Sequence, residues 1–215
     1  MQSSIDYSQR VVIKTAEQAW VGSPSEGVLR KPLEKEFVES GRTTSIVQFM
    51  PGASFAPHVH TMGEEILVLE GVFSDENGDY SAGTYLRNPP GSKHKPFSEK
   101  GCVLFVKLDY FDPKDLSQVV FQTHFKPLHQ GIGNLKVMSL HSFGTEGAAL
   151  VYWPKGEQFQ PHTHWGGEEI FVIKGELIDE HGRYPQGTWL RSPHMSQHNP
   201  YAEEETLIYV KTGHL

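Results

Sequence analysis

The sequence is short of several things. It has a single cysteine, Cys102, among 215 residues. That excludes an intrachain disulfide and any Cys-x-x-Cys redox or zinc motif. The flank Cys-Val-Leu-Phe-Val reads as a buried strand, so Cys102 is expected to be inert core rather than a reactive thiol. No stretch approaches the ~18 apolar residues of a membrane-crossing helix. The polar start, MQSSIDYSQRVVIKTAEQAW, lacks the apolar segment of a secretory signal. No membrane partner is expected, and the expected location is the cytoplasm. Positive charge is also scarce. Lys and Arg number 19 against 26 Asp and Glu, a net charge of −7. A nucleic-acid partner, which needs a basic face, is not expected.

What the sequence does have is turns and short apolar runs. There are 21 Gly and 14 Pro, too many for a long-helix protein. The runs Thr44–Met50, Glu65–Leu69, Thr84–Arg87 and Cys102–Leu108 are rich in β-branched and aromatic residues, which predicts strands. So do Ala148–Trp153, Glu169–Ile173, Thr188–Arg191 and Thr206–Lys211. Asp75-Glu76-Asn77-Gly78 and Asp179-Glu180-His181-Gly182 predict tight turns between adjacent strands. Only Ala16–Trp20 and Lys114–Val119 look weakly helical. The expected class is all-β, a sandwich or jelly-roll barrel.

The chain also repeats itself. Shifted by 104 residues, Gly52–Lys107 lies on Gly156–Lys211 without a gap, with 26 of 56 positions identical. Two domains with one fold are therefore expected, at residues 1–117 and 118–215, because units of about 100 residues can each bury a core. Upstream, Val28–Leu33 matches Leu135–Leu140 only after a further shift of three residues. That predicts a hairpin insertion in the first copy around Glu34–Arg42.

Inside the repeat lies a chemical pattern. His58-Val-His60 is followed by Glu64 and later by His94; His162-Thr-His164 is followed by Glu168 and His198. Side chains alternate along a strand, so His-x-His puts both imidazoles on one face. The third histidine follows the first by 36 residues in both copies. Three imidazoles and a carboxylate suit a divalent transition metal, zinc or iron first, manganese or nickel also, one per domain. Glu65 and Glu169 are the alternative carboxylates; even spacing from the histidines favours Glu64 and Glu168. His124, His129, His141, His181 and His214 have no matching partner and are expected at the surface or in local hydrogen bonds. His194 adjoins the second set. Arg87 and Arg191 are expected either to support the fold through a salt bridge or to reach a substrate. Trp165 is expected to pack or to edge a pocket.

These residues, with Gly71, Gly83 and Pro89-Pro90-Gly91 and their counterparts, spell the two motifs of the cupins, twice. Trp20, Gly27-Val-Leu-Arg-Lys-Pro-Leu33 and the word Gly-Thr-Tyr/Trp-Leu-Arg resemble the ChrR-like cupin group, named after the C-terminal domain of ChrR anti-sigma factors. The resemblance implies two tandem jelly-roll (double-stranded β-helix) barrels. It also implies metal-ligand roles for His58, His60, Glu64 and His94, and for His162, His164, Glu168 and His198. ChrR factors grip their sigma factor with a separate helical zinc domain whose cysteines this chain lacks, so a sigma-factor partner is not expected. Copy two has Met195 where copy one has Gly91, and the bulkier residue is expected to reshape the loop before His198. The expected function is small-molecule binding or stress sensing at a metal. The alternative is a metal-dependent, iron-type dioxygenase acting on a diketone, hydroxyketone or flavonol-like substrate. Cupin barrels often pair, so a homodimer is a further expectation.

Overall fold

The computed structural model describes residues 5–36 and 41–215. It divides into two compact units, one built from Gln18–Phe125, the other from Asp6–Glu17 and Lys126–Leu215. Each is a jelly-roll of antiparallel strands.

In the first unit the larger wall runs Val119–Gln122, Thr84–Asn88, Glu64–Asp75, Cys102–Leu108, Thr43–Phe49, Val28–Lys35, Val21–Gly22. Glu64–Asp75 is long enough to serve both walls. Its first half pairs with Thr84–Asn88, and its end pairs with Gly78–Ser81 and Phe97–Ser98. The turn between the halves is Gly71, at φ 72°. A Cβ there would lie 2.1 Å from the Gly101 carbonyl oxygen, so only glycine lets the strand bend so close to its neighbour. Gly175 does the same in the second unit, at φ 77°.

Alternation along these strands makes the core. Ile66, Val68, Leu86 and Leu104 point inward and pack with Phe49 and Phe73. Burying each such side chain contributes on the order of 1.5–3 kcal/mol. The residues between them point out of the barrel yet are buried too. There Glu65 accepts hydrogen bonds from Tyr85 (2.9 Å) and Arg87 (3.3 Å), and Lys107 donates to Thr44 (2.9 Å). The second unit repeats the plan, with Val151, Trp153, Ile170, Val172, Leu190 and Ile208 in its core.

The strands expected from the apolar runs are present, most of them a residue or two longer. The turns Asp75–Gly78 and Asp179–Gly182 close hairpins. The hairpin joining Lys35 to Thr43 is longer than its counterpart joining Phe143 to Glu146, as the three-residue offset requires; residues 37–40 of it lie outside the described part. The two helical expectations are corrected. Thr15–Glu17 makes a single 3-10 turn, and Lys114–Val119 forms no helix. The Asp112 side chain and carbonyl instead accept from the amides of Lys114 (2.8 Å) and Asp115 (2.9 Å), a local turn that competes with helix.

Two short segments lie across the single cut expected after residue 117. Strand Val11–Lys14 pairs with Thr188–Ser192 of the second unit, and Val119–Gln122 pairs with Thr84–Asn88 of the first. Each protects the otherwise open edge of a sheet. No helix among the described residues is long and apolar enough to cross a membrane.

Candidate metal centres

Each His-x-His pair sits on a two-residue strand, His58–Val59 or His162–Thr163. Its partners are Lys93–His94 and Gln197–His198, in a register that sets His58 opposite His94 and His162 opposite His198. Alternation turns His60 to the same side as His58, leaving Val59 61% exposed between them. The three ring centroids of copy one are 4.8, 4.9 and 5.0 Å apart, those of copy two 4.6, 4.7 and 4.8 Å. Glu64 and Glu168 point into these clusters; Glu65 and Glu169 alternate to the opposite face. Glu64 Oε2 lies 3.3 Å from His60 Nε2 and 3.4 Å from His94 Nε2. Glu168 Oε2 lies 3.4 Å from His164 Nε2 and 3.6 Å from His198 Nε2. In each set one ligand atom per residue lies within 4.8 Å of all the others.

The outer ring nitrogens of four of the six imidazoles are taken. His58 Nδ1 is 3.0 Å from the Ala56 carbonyl and His162 Nδ1 is 3.1 Å from that of Gln160. His94 Nδ1 is 3.4 Å from Asp75 Oδ2, and His198 Nδ1 is 3.2 Å from Asp179 Oδ2. An imidazole that donates from Nδ1 presents a lone pair on Nε2. Those inward atoms have no hydrogen-bond partner: Nε2 of His60, His94, His164 and His198, and Oε2 of Glu168, are all buried and orphaned. Leaving so many buried acceptors unsatisfied is costly. One divalent cation per cluster would satisfy them together, so the residues fit a metal. Burial pushes His60, His94, His162 and His164 toward the neutral imidazole, the form that ligates. Burial first, then the neighbouring His58 charge, pushes His60 down to about 4, with Asp109 opposing. Burial, then His198 and His162, pushes His164 down to about 3. Burial also raises Glu64, and it lifts Glu168 to about 7 against the pull of His198 and Arg10.

Each cluster opens onto a cavity. That of copy one is about 410 Å³ and is lined by His58, His60 and Glu64, by Arg30 and Asp109, and by apolar and hydroxyl side chains. That of copy two is about 290 Å³, lined by His162, Glu168 and His198 with an almost wholly apolar remainder.

Four partners of the clusters escape sequence reasoning. Asp75 and Asp179 read only as turn residues; their equal spacing of 19 residues from His94 and His198 was the available signal. Asn88, whose amide donates to Glu64 Oε2 at 3.0 Å, has no local pattern. Neither has Arg10, which donates to Asp179 at 2.9 Å.

The remaining candidates fall elsewhere. Arg87 binds Glu65 and Asp115 (2.5 Å) and stacks over Phe111 on the outer face of the wall. Arg191 donates to the carbonyl of Asp6 at 3.1 Å and stacks over Tyr7. Both support the fold. Trp165 is 71% exposed and meets His194 edge-on, and neither lines the cavity. His124, His129 and His181 are exposed, and His141 is half-buried outside the clusters. His214, expected at the surface or in a local bond, instead lies 3.2 Å from Glu169, 45 residues away. Cys102 is buried, and burial lifts its thiol to about 11. The loop at Met195 is not reshaped. Met195 takes φ 62° where Gly91 has 82°, and both amides donate at 2.8 Å, to the carbonyls of His164 and His60. Two backbone anchors hold the loop, and methionine accepts the left-handed conformation.

A family model described as the ChrR cupin-like domain matches residues 8–112 and again 115–215. The chain belongs to the ChrR cupin-like family. Its two cupin repeats resemble solved structures throughout their length. A proposed dioxygenase from Nostoc punctiforme aligns at TM-score 0.81 and 14% identity, over 97% of this chain and 84% of that one. The protein Ylba of E. coli aligns at 0.75 and 13%, over 98% and 93%. Bacillus subtilis oxalate decarboxylase, described with Mn(II) centres, aligns at 0.66 and 12%, over 94% and 76%. At these identities the likeness is one of fold. No curated protein matches the sequence.

Proposed function

We propose that this bicupin binds one divalent transition metal in each repeat and uses the copy-one centre to bind a small organic molecule. The ligands are His58, His60, Glu64 and His94 in copy one, and His162, His164, Glu168 and His198 in copy two. The observation that carries the reading is the convergence of orphaned, buried Nε2 atoms at the wall of a cavity of about 410 Å³. A bound ion of this kind supplies Lewis acidity and, where it is iron, redox chemistry with oxygen. The chain's own residues do the rest. Asp75 and the Ala56 carbonyl hold His94 and His58 in one tautomer. Asn88 aims Glu64. Ile66, Phe73 and Leu104 keep the approach dry.

A binding or sensing role and a dioxygenase share this step. The second is favoured by the largely apolar approach to the centre and by the likeness to the proposed dioxygenase of Nostoc. Metal analysis of protein purified without added metal, with His60→Ala and His164→Ala, tests the common step. Two ions per chain are expected, one in each variant. Ions retained equally in all three proteins overturn it, as does the absence of any ion. Oxygen uptake by the ferrous protein on a β-diketone then assigns the enzyme; tightly held zinc without uptake assigns binding or sensing.

A further inference from the structure

The two cavities share a frame but not a wall. Strand Val28–Lys35 pairs Arg30 with Val47, and its counterpart Lys136–Phe143 pairs Val137 with Val151. Val47 and Val151 are equivalent under the 104-residue repeat, so Arg30 and Val137 occupy the same inward position. One position along, Ser45 in copy one becomes Ala149 in copy two, again on the inner side. Arg30 lines the copy-one cavity with His58, His60 and Glu64. Its guanidinium carbon sits 5.6 Å from the Phe55 ring centroid, and its Nε is buried without a hydrogen-bond partner. Among the described residues no carboxylate forms an ion pair with it. Glu64 and Asp109 line the same cavity, yet neither is in ion-pair contact with the guanidinium, and a half-buried, largely apolar setting without such a contact is costly for a charge. Its planar fork matches a carboxylate bidentately.

We propose that copy one selects a carboxylate-bearing ligand, with Arg30 holding the carboxylate while another group of the same molecule reaches the metal. Copy two, with Val137, makes no such selection. Arg30 is thus a specificity residue, and the inference rests on the metal reading above. The wall between them suits a ligand with a short apolar body, since Val47 and Phe55 flank the guanidinium.

The probe is succinic acid monohydroxamate, whose hydroxamate chelates the ion and whose far end is a carboxylate, compared with its methyl ester. Both are titrated calorimetrically into zinc-loaded full-length chain. His164→Ala leaves the ion of copy one, and His60→Ala leaves that of copy two. Metal content and melting are measured on each sample first. In the His164→Ala chain the acid is expected to bind about tenfold or more tighter than the ester, as for a charge-assisted hydrogen bond. Adding Arg30→Val, the residue copy two carries, abolishes the difference with the ion retained. Adding Arg30→Lys keeps part of it. The His60→Ala chain shows no preference. Equal binding of acid and ester to copy one overturns the proposal, and so does failure of either to bind. A preference that survives Arg30→Val does the same. If copy one holds no ion before ligand is added, the metal reading fails first and takes this inference with it.

Discussion

Copies one and two place the same four candidate ligands in the same frame, yet they surround that frame differently. In copy one Glu64 is held by the Asn88 amide at 3.0 Å. Ser192 stands at the matching position in copy two, and Glu168 Oε2 has no hydrogen-bond partner. Asp75 behind His94 accepts from Tyr80 at 3.0 Å. Asp179 behind His198 accepts from Tyr184 at 2.6 Å and also carries Arg10. Asp179 therefore shares its charge between Arg10 and His198. The cavity walls diverge furthest, from Arg30 and Ser45 to Val137 and Ala149. Ligand positions are set by strand register and tolerate little drift; the residues that aim ligands and face the cavity sit on other strands and are free to change. Copy one therefore reads as the better-supported centre with the more discriminating pocket.

Exchanging the aiming residues strains this comparison most. Asn88→Ser is expected to weaken metal binding at copy one about tenfold or more, as loss of an outer hydrogen bond to a ligand does. Ser192→Asn is expected to tighten copy two. Competition with a chromophoric chelator reads both, and unchanged affinities would make the two centres equivalent.

Acid sharpens it next. In the ion-free fold Glu168 keeps its proton up to about 7, because burial disfavours the carboxylate. An ion must displace that proton. The affinity of copy two is therefore expected to fall as pH drops below about 7, by up to about tenfold per unit for one proton. His164, held down to about 3, adds no competing proton over that range. The linkage to folding runs the same way. A carboxylate with a raised folded pKa favours the ion-free fold below its unfolded value of 4.5, and this contribution is lost as pH rises through about 7. Calorimetry of the His60→Ala chain in buffers of different ionisation enthalpy should find about one proton released below pH 7.

The smallest effect lies at Met195. A left-handed methionine costs roughly 1 kcal/mol against a glycine, part of which the entropy of the unfolded glycine offsets. Met195→Gly is expected to stabilise the second unit by about 0.5 kcal/mol, read as a small rise in its melting temperature, without changing its metal affinity.

Much of this was legible in the chain itself. His94 and His198 were legible only through the repeat, at the same 36-residue interval in both copies. The His-x-His pairs, both hairpin turns and nearly every strand follow from local spacing, because alternation converts sequence parity directly into a face. The choice of Glu64 over Glu65 is of this kind. Lys114–Val119 misled because its composition resembles a helix, while the Asp112 side chain satisfies the backbone in a turn. Met195 misled because a steric rule for one residue ignores the two amide bonds that hold its loop.

The sequence by itself determined the all-β class, the doubling of the fold and the residues able to meet at a cation. Only the tertiary structure decided that Val11–Lys14 closes the second unit's sheet, that Arg10 reaches Asp179, and that Arg30 faces a cavity where its counterpart is valine. Short-range geometry repeats every two residues and can be read along the chain. A sheet edge, a distant ion pair or a cavity wall is chosen by which remote strands come together, and no local period records that choice.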